Sequence, residues 1–376
     1  MLQRFHCLAL CMLLAIANTC QGQSTNNIDG FGIETNVFTG RVVRHESKFT
    51  LPIPAITSGL DLNFVWNTWG RKSWHQLRRY PTLGIGFVYT DYGINYVYGQ
   101  AFSIYPNITF PIVKGKNLEW SMRIGDGVAY VTRHFSRTNP VDTVNVAIGS
   151  HINDYANFST DLRLKMNQHW DVQIGANFSH ISNASFKTPN LGVNLPGIHA
   201  GFRYFPATST PAKVKWQHAP PRNNWGIGAI AAVAANQPPA AGGPAYPVYI
   251  GSIFIYKKWL HKNKLYFGAD YSYHESIYTF LRNNYIDAGS EASHSTKQAV
   301  LAGNEFLLGR IGVILQLGYY VKDAALSQGA IYEKLGGNLY LVKNQNKVLK
   351  EVYIHAALKA HLAVAELAEF GIGLSI

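Results

Sequence analysis

The chain has 376 residues, only 14% of them charged against about 25% in an ordinary soluble domain, and its formal net charge is +12. Its three cysteines, Cys7, Cys11 and Cys20, lie near the N-terminus, which leaves the rest of the chain without a disulfide framework, a cysteine-ligated zinc or a thiol nucleophile. No apolar run of the roughly 18 residues that a transmembrane helix needs follows them.

The first element is a targeting segment. Arg4 supplies a positive start, Cys7 to Ala17 forms a short apolar run, and small and polar residues follow to Gly22. Such a run is too short to span a bilayer, so a cleaved signal peptide over residues 1–22 is expected. An exported chain without further cysteines crosses an oxidising periplasm without cross-linking. Export also makes an anionic membrane surface, and not nucleic acid, the partner for the positive charge.

From residue 31 onward the signal is alternation with period two. In Leu60-Asp61-Leu62-Asn63-Phe64-Val65-Trp66-Asn67 the even positions are apolar and the odd ones mostly polar. Leu83, Ile85, Phe87 and Tyr89 alternate with Gly84, Gly86, Val88 and Thr90. Phe158, Leu162 and Leu164 alternate with Ser159, Asp161 and Arg163, and Leu265, Phe267 and Ala269 with Tyr266, Gly268 and Asp270. The last run, Phe370 to Ile376, interleaves apolar residues with Gly371, Gly373 and Ser375. Successive strand side chains point to opposite faces, so each run has one greasy face.

Strand-like runs lie near 31–39, 58–68, 82–92, 99–110, 118–132, 154–166, 170–183, 195–205, 223–235, 247–258, 264–276, 298–308, 311–321, 331–342, 351–361 and 367–376. A soluble sandwich would alternate in the same way. Several runs, however, reach the roughly ten residues that cross hydrocarbon at a barrel's tilt. Aromatic residues such as Trp66, Trp69, Tyr89, Tyr92, Tyr319 and Tyr320 crowd their ends. An open sheet edge cannot be satisfied in hydrocarbon, so the strands must close. The expectation is an all-β antiparallel transmembrane β-barrel of the bacterial outer membrane over residues 23–376, with no helix. Neighbouring runs can merge, so about 14 strands (roughly 12–16) are expected. Pro-rich stretches at 206–221 and 238–247 read as loops. The first of them separates residues 30–205 from additional strands of unassigned role at 206–376. Tight turns are expected at Asn167–Asp171 and Asn344–Asn346.

One stretch breaks the pattern. Along the run that begins near Asp171, Val172, Ile174, Ala176 and Phe178 form the apolar face, and the same parity puts His180 and Ser182 there. In the next run Pro196, Ile198, Ala200 and Phe202 are apolar, and parity places Asn194 with them. A His and a Ser two apart on one strand face are close enough for an imidazole to take a hydroxyl proton. Polar groups where the pattern demands apolar ones mark a functional site, or else a strand that has already risen into the headgroup zone; parity leaves both readings open. Elsewhere, His199 and Arg203 read as lumen-lining. His355 and His361 have no carboxylate in register, which argues against a metal site.

The run His180-x-Ser182-Asn183-Ala184, followed by Pro189-Asn190-x-Gly192, resembles the active-site signature of the outer-membrane lipid A 3-O-deacylases, the acyloxyacyl hydrolase family. The barrel pattern over 30–205 fits that family. The resemblance implies a serine esterase site on the lipid-facing outside of a barrel, near the outer leaflet. Ser182 would be the nucleophile and His180 its base. Asn183, Asn190 and backbone N–H groups of the turn would be candidates for the oxyanion hole. Lipid A, or lipopolysaccharide, would be the substrate, and neither metal nor cofactor is required. The chain departs from the family at one point: the acidic residue expected two positions after the motif's glycine is Asn194. An Asn carbonyl can still orient an imidazole. Basic residues Arg71, Lys72, Arg78 and Arg79 are candidates for holding the lipid's phosphates, or are a plain solvated loop. The rival reading is a non-catalytic barrel, a pore or a structural protein, in which Asn194 marks lost activity. Nothing in the sequence specifies an oligomeric state.

Overall fold

The computed structural model describes residues 30–45, 48–138, 140–207, 211–215, 225–237, 243–259, 262–325, 329–344, 347–361 and 364–376. The expected signal peptide lies outside them, as do parts of the Pro-rich stretches and of the Asn344–Asn346 turn.

A first set of strands comprises β1 Phe31–Gly40, β2 Thr57–Asn67, β3 Thr82–Asp91, β4 Gln100–Lys114, β5 Leu118–Val131, β6 Ile152–Lys165, β7 Trp170–Ser182 and β8 Val193–Tyr204. A second set comprises β9 Trp225–Asn236, β10 Tyr246–Trp259, β11 Asn263–His274, β12 Thr296–Leu308, β13 Ile311–Lys322, β14 Ile331–Lys343, β15 Glu351–His361 and β16 Val364–Ser375. Each run read from the alternation is its own strand; none merges. β1 pairs with β8 from Ile33↔Tyr204 to Gly40↔Gly197, and β9 with β16 from Gly228↔Ser375 to Ala234↔Glu369. The strands therefore close as two eight-stranded antiparallel barrels instead of the single ring expected from sequence. Eight strands already close around a space that side chains can fill.

Both barrels are apolar outside and polar inside, the reverse of a soluble protein. On the first, Val37, Ile174 and Ile198 are exposed, while Arg123 and Arg163 are buried. Inside, Arg123 pairs with Glu34 and with Asp61 (2.9 Å), Arg163 with Glu119 (2.9 Å), and His199 with Asp161 (2.9 Å). In the second, Lys264 meets Glu351 (2.7 Å) and Lys334 meets Glu369 (2.9 Å). Removing one member of such a pair would strand a buried charge, so the interiors are held by mutual satisfaction of their groups. Large side chains occupy both of them, among them Tyr105 and Arg123 in the first and Tyr332, Tyr340 and Tyr353 in the second, all buried. The histidines on β15 also find carboxylates, contrary to expectation: His355 meets Glu369 and His361 meets Glu366, each at 3.0 Å. Those glutamates sit on β16, diagonal to the histidines and not directly opposite, so a search along one strand misses them.

Three short helices interrupt the strands among the described residues: α1 Ser73–Leu77, α2 Glu275–Asn283 and α3 Glu291–His294. The expectation of no helix fails here. Ile277 and Leu281, one turn apart, bury the same face of α2.

Hairpin parity sorts the connections to two ends. Residues 41–56, 92–99, 132–151 and 183–192 join strands at one end of the first barrel; 115–117 and 166–169 are short turns at the other. In outer-membrane barrels the long loops face outside and the short turns the periplasm. Contacts at both ends tie the barrels side by side. At the short-turn end Arg78 Nη2 donates to Lys262 O (2.5 Å) and Asn263 Oδ1 (3.1 Å). At the long-loop end residues of the β7–β8 turn bond to Gln237 and Ala365. Arg71, Lys72, Arg78 and Arg79 belong to the β2–β3 connection, at the opposite end from His180.

Candidate active site

β7 turns Val172, Ile174 and Phe178 outward, and all three are exposed. His180 and Ser182 continue that face, His180 half-buried and Ser182 only 2% exposed. The alternate residues Ile181, Val193 and Leu195 point the other way, into an apolar cluster with Val42, Phe49, Tyr92 and Tyr98 that fills the barrel's long-loop end. Burying each such side chain contributes about 1.5–3 kcal/mol. That anchorage fixes where the outward-facing residues stand.

His180 lies directly opposite Asn194 in the β7·β8 ladder. The imidazole Nδ1 and Asn194 Oδ1 are 2.5 Å apart. With the amide oxygen as acceptor, Nδ1 carries the hydrogen and Nε2 keeps its lone pair. Among the described residues no carboxylate pairs with this imidazole. Asp154 lies across the β6·β7 ladder from Ser182, not from His180.

Ser182 Oγ is buried and has no hydrogen-bond partner among the described residues. The chain then turns sharply: Ala184 and Ser185 both adopt left-handed backbone, with φ of 54° and 60°. For non-glycine residues each costs about 1–2 kcal/mol, and strain of this kind persists only where surroundings impose it.

The two candidate asparagines behave differently. Asn183 helps hold the turn: its Nδ2 donates to Ser150 Oγ (3.0 Å) and its Oδ1 accepts from Lys187 N (3.3 Å). Asn190 Oδ1 accepts from Asn183 N (2.9 Å), while Asn190 Nδ2 is buried without a partner among the described residues. An unpartnered hydroxyl and an unpartnered amide donor thus share one turn beside an oriented imidazole. A serine esterase needs a hydroxyl, an imidazole, a group that orients it and an amide donor, and this turn offers a candidate for each.

Several supporting residues carry no signal in the sequence. His45 Nε2 lies 2.7 Å from Leu191 O, Gly192 N donates to Ala147 O (2.9 Å), and Val43 N donates to Asn194 O (3.0 Å). Two glycines are required by close approach. A Cβ on Gly149 would meet Lys187 O at 2.6 Å, and one on Gly192, where φ is +78°, would meet His180 Cε1 at 2.7 Å. Nearby, the His134 and His151 rings stand 4.1 Å apart. Burial, with His151 and Lys187 beside it, holds the His134 imidazole below its ordinary pKa. The cations on the site's own end include Arg41, Arg44 and Lys187, all exposed.

Two family models match the chain. Residues 58–203 match lipid A 3-O-deacylase (PagL), and residues 223–376 match the acyloxyacyl hydrolase C-terminal domain. The two stretches follow the two barrels. Among solved structures the chain is similar to the outer membrane enzyme PagL, at 16% identity over 45% of this chain and 97% of that one, with a TM-score of 0.30. It is also similar to Neisserial surface protein A, at 12% identity over 47% and 97% of the two chains, with a TM-score of 0.30. No curated protein matches it.

Proposed function

Because the chain belongs to the outer-membrane lipid A 3-O-deacylase (acyloxyacyl hydrolase) family, we propose that it hydrolyses the 3-O-linked acyl ester of lipid A with Ser182 as nucleophile, His180 as base and Asn194 as the group that orients the base. The observation that carries this reading is the 2.5 Å contact between His180 and Asn194, on the same outward face as an unpartnered Ser182 Oγ. The first barrel carries the chemistry.

Substrate arrives laterally from the outer leaflet. Further down the outer face, six positions along β7 from His180 toward the short turns, Val37, Trp120, Leu162, Ile174 and Ile198 line an apolar depression suited to an acyl chain. Arg41, Arg44 and Lys187 stand at the headgroup level to meet phosphate. His180 Nε2 takes the hydroxyl proton as Ser182 Oγ bonds to the ester carbonyl carbon. Charge moves to the carbonyl oxygen, and Asn190 Nδ2 is the open donor that stabilises it. Collapse breaks the bond to the sugar oxygen, which leaves with the proton returned by the imidazolium. Water, activated by the same imidazole, then attacks the acyl-serine, releases the fatty acid and restores Ser182.

The test is mass spectrometry of lipid A from cells with and without the protein. Expressing cells should contain lipid A lighter by one ester-linked acyl chain; an unchanged spectrum counts against the proposal. A second expectation concerns Gly192. In Gly192→Ala the new methyl meets the His180 ring and the left-handed backbone loses its glycine. Displacing a base by a fraction of an ångström should lower kcat about tenfold. Fatty-acid release that stays at the starting rate would show that the ring has room to move.

A further inference from the structure

We propose that the second barrel takes part in the reaction by holding the β7–β8 turn in shape, and that Gln237 is the positioning residue through which it does so. This rests on the reading of Ser182 and His180 given above. Within the first barrel the turn is tied by Asn183 to Ser150, by Asn190 to Asn183 N, and through Asn183 to the N–H groups of Phe186 and Lys187. Ser185 and Thr188, to either side of that pair, are reached from the other barrel.

Gln237, just past the end of β9, makes three of these contacts. Its backbone N–H donates to Ser185 O at 3.2 Å. Its Oε1 accepts from Thr188 N at 2.6 Å and from Thr188 Oγ1 at 3.0 Å. Its Nε2 donates to Gly243 O, which points the amide oxygen at the turn. A fourth contact comes from β16, where Ala365 O accepts from Ser185 Oγ at 2.6 Å.

These bonds converge on the segment that needs support. Ser185 is one of the two left-handed residues, and it follows Ser182 by only three positions. If Ser185 relaxes toward ordinary backbone, Asn183 and Ser182 turn with it, and the nucleophile leaves the register that parity gives it beside His180. The barrels are also joined at their far end, through Arg78 to Lys262 and Asn263. Cutting the contacts at the turn therefore need not undock the barrels, so the two effects separate experimentally.

The test uses full-length protein in detergent, with lipid A as substrate. Gln237→Ala should lower kcat about tenfold to a hundredfold, because a nucleophile displaced by an ångström loses that much, while KM changes by no more than about twofold. Gln237→Glu keeps an acceptor for both Thr188 donors but loses the donor to Gly243 O, and should recover part of the rate. Ser185→Ala cuts the Ala365 bond from the turn's own side and should slow kcat about threefold to tenfold. Arg78→Ala, which loosens the far seam only, should stay within about twofold of the parent. Each variant should keep the faster unboiled migration of a closed barrel, and Ser185→Ala stands in if Gln237→Ala does not fold.

The proposal is overturned if Gln237→Ala or Ser185→Ala turns over at the parent rate. It also falls if Gln237→Glu is as slow as Gln237→Ala, or if Arg78→Ala is equally slow, since barrel docking and not the turn would then be at stake. Ser182→Ala run in parallel separates the levels. An inactive Ser182→Ala with a fully active Gln237→Ala removes this inference alone; an active Ser182→Ala removes the site reading and this inference with it.

Discussion

Ser182→Ala and His180→Ala should each abolish release of fatty acid from lipid A, with kcat falling on the order of 10⁴-fold or more, while the barrels stay closed. A nucleophile and its base act as a unit, so losing either costs nearly as much as losing both. Folding should be spared for reasons visible in the structure. Ser182 Oγ makes no hydrogen bond among the described residues, so its removal orphans nothing. His180→Ala leaves Asn194 Oδ1 without its imidazole partner, at a cost of about 1 kcal/mol. The buried neighbours Ile181 and Val193 that anchor the hairpin are untouched. Migration of unboiled protein reports the fold, and mass spectrometry of lipid A reports the activity. Ser182→Ala protein that still deacylates would remove the site assignment, whatever becomes of the family.

Asn194→Ala should lower kcat roughly a hundredfold with little change in KM, because the imidazole loses the acceptor that selects its Nδ1–H tautomer while the acyl depression stays intact. That factor corresponds to about 2.7 kcal/mol of transition-state stabilisation, more than the net worth of an ordinary neutral hydrogen bond. A loss of this size would mean the contact works in the transition state and not in folding. The 2.5 Å separation and the direct cross-strand position are what support the proposed role of Asn194 as orienter. An amide oxygen, though, brings no full charge to meet an imidazolium. Asn194→Glu supplies one from the same place on β8, and should raise kcat or leave it unchanged. A near-silent Asn194→Ala would transfer the role to another group. Asp154, across the ladder from Ser182, would be the next position to test.

About half of the candidate site is legible in the sequence. His180, Ser182 and Asn194 stand out because strand side chains alternate strictly, so polar residues on an apolar face are visible from parity alone. Asn183 and Asn190 are visible only as motif members. Parity does not say that one amide bonds to Ser150 and Lys187 while the other's Nδ2 has no partner among the described residues. His45, Ser150, Gly149 and Gln237 leave no trace, because each meets the motif turn from a distant loop and none sits in a periodic run. α2 escapes sequence reading for a different reason. It is short and follows β11 without a break, so its first residues blend into the alternating stretch and Ile277 and Leu281 into the loop after it.

By itself the sequence determined the strands, their faces and the membrane. Period-two alternation, low charge and aromatic strand ends are local properties, and each survives whatever partner a strand acquires. Closure was decided only by tertiary structure. An outward apolar face reads the same in one large ring as in two small ones, and nothing local distinguishes β8 returning to β1 from β8 passing on to β9. Closure after eight strands also set which groups fill each interior, which end each loop occupies, and why the basic residues at 71–79 lie far from Ser182. Pairing between strands more than a hundred residues apart is chosen by the collective satisfaction of edges and interior charges, not by any residue's own preference.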